Sequence, residues 1–126
     1  MAVLAFIGRI LFGLYFIQAG FNHFARLDMM AGYAGAKSVP APKFGVAFSG
    51  LMLLFGGVTT LLGVWMPAAG IVLAVALLLF SFYLHNFWTV TDPGQRMAET
   101  TNFFKNLGLV AASLMLSAMP ATVWHL

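Results

Sequence analysis

With 126 residues, 62% of them hydrophobic and only 7% charged, the chain has a mean hydropathy of +0.96 and is far more apolar than a soluble domain, in which about 45 to 50% of residues are apolar. Six Lys or Arg against three acids leave a net charge of +3, too sparse for a nucleic-acid surface, and the absence of cysteine excludes disulfides and thiolate metal sites within the chain. A hydrocarbon layer about 30 Å thick takes on the order of 20 residues per helix, so four spans use nearly all of residues 1–126 as one membrane domain and leave no room for a soluble catalytic one.

The first span is expected from about Val3 to Phe24. The N-terminus has no basic n-region and runs into a longer apolar segment without a cleavage-like site, so this span is read as retained. Arg9, Gly13, Phe16, Gly20 and His23 fall on one stripe, and Tyr15, Gln18 and Asn22 on another. Gly13 and Gly20 would let a neighbouring helix approach closely.

A polar segment follows from Ala25 to Lys43. Its middle, Leu27 to Ala36, spaces Leu27, Met30, Tyr33 and Ala34 like a short amphipathic helix on the membrane surface, which Pro40 and Pro42 then stop. The second span, about Phe44 to Leu62, has no charge and carries Ser49, Gly50, Gly56, Gly57, Thr59 and Thr60, residues suited to helix interfaces in lipid. The turn Gly63-Val64-Trp65-Met66-Pro67 is short, with Pro67 placed for the first turn of the next helix, so the second and third spans form a tight antiparallel hairpin.

The third span is expected from Ala68 to about Trp88, and its polar residues gather in the second half. Continued as a helix, it would put Ser81, His85 and Trp88 on one face. Asp92-Pro93 reads as an N-cap and first helical residue of the fourth helix, which enters the membrane near Asn102 and ends before Pro120. Glu99, Asn102 and Asn106 share one face of that helix, with Lys105 adjacent. The fold class is therefore all-α, an integral membrane four-helix bundle with a short amphipathic surface helix between helices 1 and 2.

The loops after the first and third spans hold Arg26, Lys37, Lys43, Arg96 and Lys105, whereas the opposite side has no Lys or Arg except Arg9 inside the first span. Positive-inside counting puts those loops in the cytoplasm and both termini outside. This topology gathers His23, His85, Asn86, Trp88, Asn102, Lys105 and Asn106 at one membrane face, the candidate ligand-binding residues. Arg9 lies about 21 Å of helix rise away from His23 and belongs near the other face, as a snorkelling cation or a structural ion pair.

His85 can donate to or protonate a carbonyl and Trp88 can pack against a ring, which suits a quinone-like ligand framed by Asn102, Lys105 and Asn106. The plainer alternative is an aromatic belt with solvated polar neighbours and a snorkelling Lys105. A metal or haem held by His23, His85 and Glu99 has no ligand-spacing motif behind it, and His125 is read as an exposed terminal residue. There is no Gly-rich phosphate loop, nucleophile elbow or carboxylate pair, and no residue is assigned as catalytic.

Arg9 with Leu11-Phe12-Gly13-Leu14-Tyr15-Phe16 and Ala19-Gly20, the Gly56-Gly57 pair with Gly63, His85-Asn86-Phe87-Trp88 with Asp92-Pro93, and Phe104-Lys105-Asn106-Leu107 together resemble the DoxX family of small four-helix bacterial membrane proteins over essentially the full length. The chain has Leu53 where many relatives carry an acid, and His23 where many carry lysine. The family includes membrane subunits of thiosulfate:quinone oxidoreductase and proteins of redox or detoxification assemblies. The resemblance implies a multi-pass protein of the bacterial inner membrane, at most the membrane component of a quinone-linked oxidoreductase, with quinone as the ligand to test. The bilayer, a redox partner protein and a second copy of the chain are the partners this reading admits. The competing class is a non-catalytic interaction or assembly protein whose polar mouth docks a cytosolic partner.

Overall fold

The structure is a computed structural model that describes residues 2–120, so His125 lies outside the described residues. Five α-helices run in order: α1 (Ala2–Ala25), α2 (Leu27–Ala36), α3 (Pro42–Leu62), α4 (Met66–Tyr83) and α5 (Pro93–Ala118). The short α2 sits between α1 and α3, as the proline punctuation predicts. Three segments, Ala2–Ala25, Pro42–Leu62 and Met66–Thr89, are long and apolar enough to cross a bilayer. Their outward faces carry large apolar side chains such as Leu11, Phe21, Phe44, Leu51 and Ile71, which only lipid would solvate well. The chain is a membrane protein.

α1 packs chiefly on α3 and does so through glycine. A Cβ on Gly13 would stand 2.9 Å from the Gly57 carbonyl oxygen, and one on Gly20 would stand 2.9 Å from that of Gly50. The reverse holds for Gly57, whose Cβ would meet the Ile17 nitrogen at 2.7 Å. Each helix thus offers two glycines seven residues apart, and the backbones touch where lipid supplies no hydrophobic drive to press larger side chains together. The predicted stripe through Gly13, Phe16 and Gly20 is the buried face of α1.

α2 returns over α3, to which it is tied more closely than to α1. It ends by Ser38 entering the left-handed region at φ 63°, with Ser38 donating its N–H to Gly35 and Val39 donating to Ala34. Those bonds occupy the last carbonyls and aim the chain into Pro40 and Pro42, the latter opening α3. The α3–α4 turn uses the same device: Gly63 sits at φ 72° while Gly63 and Val64 donate to Thr60 and Thr59. The expected hairpin results.

The third helix differs from the sequence expectation. α4 ends at Tyr83 rather than near Trp88, and Phe87–Thr89 forms a single 3₁₀ turn. Ser81, His85 and Trp88 therefore do not share a helical face; Ser81 is fully buried and donates to the Leu77 carbonyl of its own helix. Neither glycine nor proline stops the helix. Instead His85 and Asn86 are drawn to side chains on other elements, and the Asn86 carbonyl accepts from both the backbone N–H and the hydroxyl of Thr89. Tertiary polar bonds outweigh the few tenths of a kcal/mol per residue that helix propensity supplies.

α5 begins as predicted, with the Asp92 carboxylate accepting from the Gln95 N–H at 2.9 Å and Pro93 in the first turn. Its first half is polar and its second half apolar. All four long helices contribute to one core, built on Phe16, Leu53, Leu73, Ala74, Leu77 and Val110.

Candidate functional site

Glu99 stands on the second turn of α5 and is 7% exposed. A buried carboxylate survives in such surroundings only if its oxygens are occupied. Both are: the Tyr33 hydroxyl of α2 donates to one oxygen at 2.5 Å, and His85 Nδ1 lies 2.6 Å from the other. Beside them, Lys37 at the end of α2 donates to the Asn86 side-chain oxygen at 3.0 Å. Residues distant in sequence thus lace α2, the α4–α5 connection and α5 together.

The electrostatics follow from this arrangement. Burial works to raise the Glu99 pKa, but the hydrogen bonds from Tyr33 and His85, with the nearby charges of His85 and Lys37, prevail and hold it below the usual carboxylate value. Tyr33 moves the other way: burial, its bond to Glu99 and the carboxylate charge all raise its pKa above the usual phenol value. The phenol stays a donor and the carboxylate an acceptor. With the carboxylate as acceptor, His85 keeps its proton on Nδ1 and leaves Nε2 without a protein partner among the described residues.

His85 and Tyr33 are polar residues of a half-open cleft of about 610 Å³ bounded by the end of α1, α2, α3 and α4. This lies within the roughly 300 to 1,000 Å³ of small-molecule sites. Its walls are otherwise mostly apolar, including Met29, Met30, Val46, Phe48, Leu79 and Phe80. His23 lines the cleft from α1, stacked on Phe80 with ring centroids 5.5 Å apart. Its Nδ1 lies 2.8 Å from the Ala19 carbonyl, so the proton sits there and Nε2 is left as an acceptor.

The structure divides the candidate residues named from sequence. His23 and His85 meet the same cleft. Asn86 accepts from Lys37, and neither of the two lines the cleft. Trp88 instead packs among Phe82, Phe87 and Phe103, with centroids 5.3 to 6.1 Å apart, and does not line the cleft. On α5, Asn106 is buried, Asn102 is half-buried and Lys105 is exposed; none of the three lines the cleft. Arg9 lies at the other end of the bundle, its guanidinium against the Gly63 turn and 5.0 Å over the Phe6 ring. No group of three His, Asp or Glu placed to hold a metal occurs among the described residues.

Sequence reasoning missed Tyr33 and Lys37 as site residues. Tyr33 was visible only as one apolar position of α2, and Lys37 only as a topological charge. Glu99 left a clearer signal: it is one of three acids in the chain and shares a helical face with Asn102 and Asn106.

The sequence model of the DoxX family matches residues 4–86, which takes in α1 through α4 and ends just past His85. No curated protein and no solved structure matches the chain.

Proposed function

We propose, from the premise that this chain belongs to the DoxX family, that it is the membrane component of a redox system and binds a quinone-like ligand in the cleft beneath α2. The observation that carries the reading is the cleft itself: apolar walls bounding a half-open space of about 610 Å³, with an imidazole held by a carboxylate on its lining. Apolar walls suit a ring and its alkyl substituents. His85, oriented by Glu99, is the proton or hydrogen-bond partner of the ring oxygen, in the way a carboxylate commonly fixes the tautomer of a working histidine.

When bound, such a ligand supplies the electron chemistry, and the chain supplies position and protons. Electrons enter from a partner protein or a cofactor of that partner. α2 lines the cleft through Met29, Met30, Tyr33 and Ala34. Placing Arg26, Lys37, Lys43, Arg96 and Lys105 by the positive-inside bias puts this mouth toward the cytoplasm of a bacterial inner membrane, with α5 entering the bilayer from Asn102 onward as the fourth span. Trp88, Asn102 and Lys105, where α5 meets the membrane surface, then lie on the adjoining face on which the partner docks, with Asn106 buried behind them.

The test is isothermal titration of the purified protein in detergent with tetramethyl-1,4-benzoquinone and its hydroquinone. Saturable binding of at least one form is expected, and His85→Ala should weaken it about tenfold through loss of one hydrogen bond and its charge assistance. If neither form binds, or the variant binds as well as wild type, the ligand site is wrong.

A further inference from the structure

The hydrogen-bond polarity of the cleft distinguishes between the two redox forms of such a ligand. A benzoquinone offers only acceptors, whereas a hydroquinone or other phenol also donates. His23 and His85 both line the cleft. The proton on His23 Nδ1 is committed to the Ala19 carbonyl at 2.8 Å, because a carbonyl cannot donate. Neutral His23 therefore presents a lone pair at Nε2, and no protein donor meets that nitrogen among the described residues.

His85 is different. Its Nδ1 faces the Glu99 carboxylate, so its Nε2 accepts when the ring is neutral and donates when the ring is protonated. His23 has no such partner: among the described residues it stacks on the Phe80 ring, bonds the Ala19 carbonyl and forms no ion pair with an acid. An oxygen acceptor placed against His23 Nε2 would oppose lone pair to lone pair in largely apolar surroundings, and such an unmade bond is costly.

We infer that the cleft selects a ligand bearing a donating aromatic hydroxyl, and that His23 Nε2 is the acceptor for that hydroxyl. This rests on the ligand-site reading above and adds the form recognised: the hydroquinone or phenol, rather than the oxidised quinone. Phe80, stacked beside His23, supplies the apolar surface for the ring.

Three probes separate the possibilities when titrated anaerobically into the protein in detergent: tetramethyl-1,4-hydroquinone, its dimethyl ether and tetramethyl-1,4-benzoquinone. The hydroquinone should bind about tenfold tighter than either of the others, the effect of one well-made hydrogen bond against an unsatisfied acceptor. In His23→Phe, which keeps a ring against Phe80, the preference should shrink to about threefold or less, as the hydroquinone loses its acceptor and the quinone loses the opposed lone pair. Quinone binding as tightly as hydroquinone, or a preference unchanged in the variant, would overturn the assignment and leave the ligand site standing. Failure of all three probes would remove both. The wild-type comparison decides the selectivity even if the variant does not fold.

Discussion

Two regions hold the bundle together by opposite means. Along the α1–α3 seam, Gly13 and Gly20 meet Gly57 and Gly50, and contact is made by removing side chains until the backbones touch. At the cleft, Tyr33, His85 and Glu99 meet through three polar side chains from three separate elements. At Gly13 and Gly57 an added atom would strike main chain of the facing helix, so it enters only if the two helices shift. The Tyr33–Glu99–His85 cluster stands beside about 610 Å³ of open space, and its geometry depends on charge and hydrogen bonds. A membrane bundle can thus close one part of itself by packing and hold another part by polar bonds beside open space, and substitutions at the two should fail differently.

The largest effect is expected at the seam. A Cβ on Gly57 would lie 2.7 Å from the Ile17 nitrogen and 2.9 Å from the Gly13 oxygen, so alanine there must push two helices apart. Gly57→Ala should cost about 1 to 3 kcal/mol, the usual range for overpacking. Gly57→Leu should yield no monodisperse helical protein in detergent. Circular dichroism and size exclusion read both outcomes, and a Gly57→Leu protein with wild-type stability would show that the seam is not closely packed.

Next comes the polar end. Glu99→Gln keeps the size of the side chain and removes the charge on which Tyr33 and His85 converge, so stability should fall by about 1 to 3 kcal/mol. The pH dependence distinguishes this from loss of packing. The Glu99 pKa is depressed in the folded state, so its contribution is present above the ordinary carboxylate value and is lost as pH falls through the lower folded value. The facing groups are Tyr33, His85 and Lys37; Tyr33, its pKa raised, stays protonated throughout this acid range. Thermal unfolding of wild type should therefore steepen in its loss below about pH 4.5, while Glu99→Gln shows a shallower decline. Parallel curves would assign the acid sensitivity to other carboxylates.

The same contrast explains what could be read from the sequence. Gly13 and Gly20 repeat on one helical face, Pro67 and Asp92-Pro93 mark helix starts, and Pro40 and Pro42 delimit α2; all these are local signals acting within a turn or two of chain. The glycine seam was therefore legible as to which face packs. The cleft was not, because Tyr33 and Glu99 are 66 residues apart and Lys37 and Asn86 are 49 apart. Those pairings exist only once α2 folds back over α3. The early end of α4 at Tyr83 has the same origin: no residue near it breaks helices, and its cause is the pull of His85 toward Glu99. His23 and His85 could be placed at one membrane face from topology alone, but topology could not separate them from Trp88, which turns into the aromatic cluster instead.

The smallest effect tests whether the intolerance of glycine is a property of the seam or of the fold at large. Gly108 lies inside α5, and a Cβ built there meets nothing within 4 Å. Relative to alanine, glycine in a helix interior costs roughly 0.5 to 1 kcal/mol of backbone entropy, so Gly108→Ala should stabilise the protein by that amount. The gain should read as a rise of about 2 to 5 °C in the unfolding midpoint. Set beside Gly57→Ala, the substitution is chemically identical and the sign is opposite, because at Gly57 the new methyl would lie against another helix's backbone and at Gly108 it enters open space. A loss of stability at Gly108 would mean that this face of α5 is covered in the detergent-solubilised protein, as a second copy of the chain would cover it. Cross-linking the same sample would then show a dimer that the Gly108→Ala variant weakens.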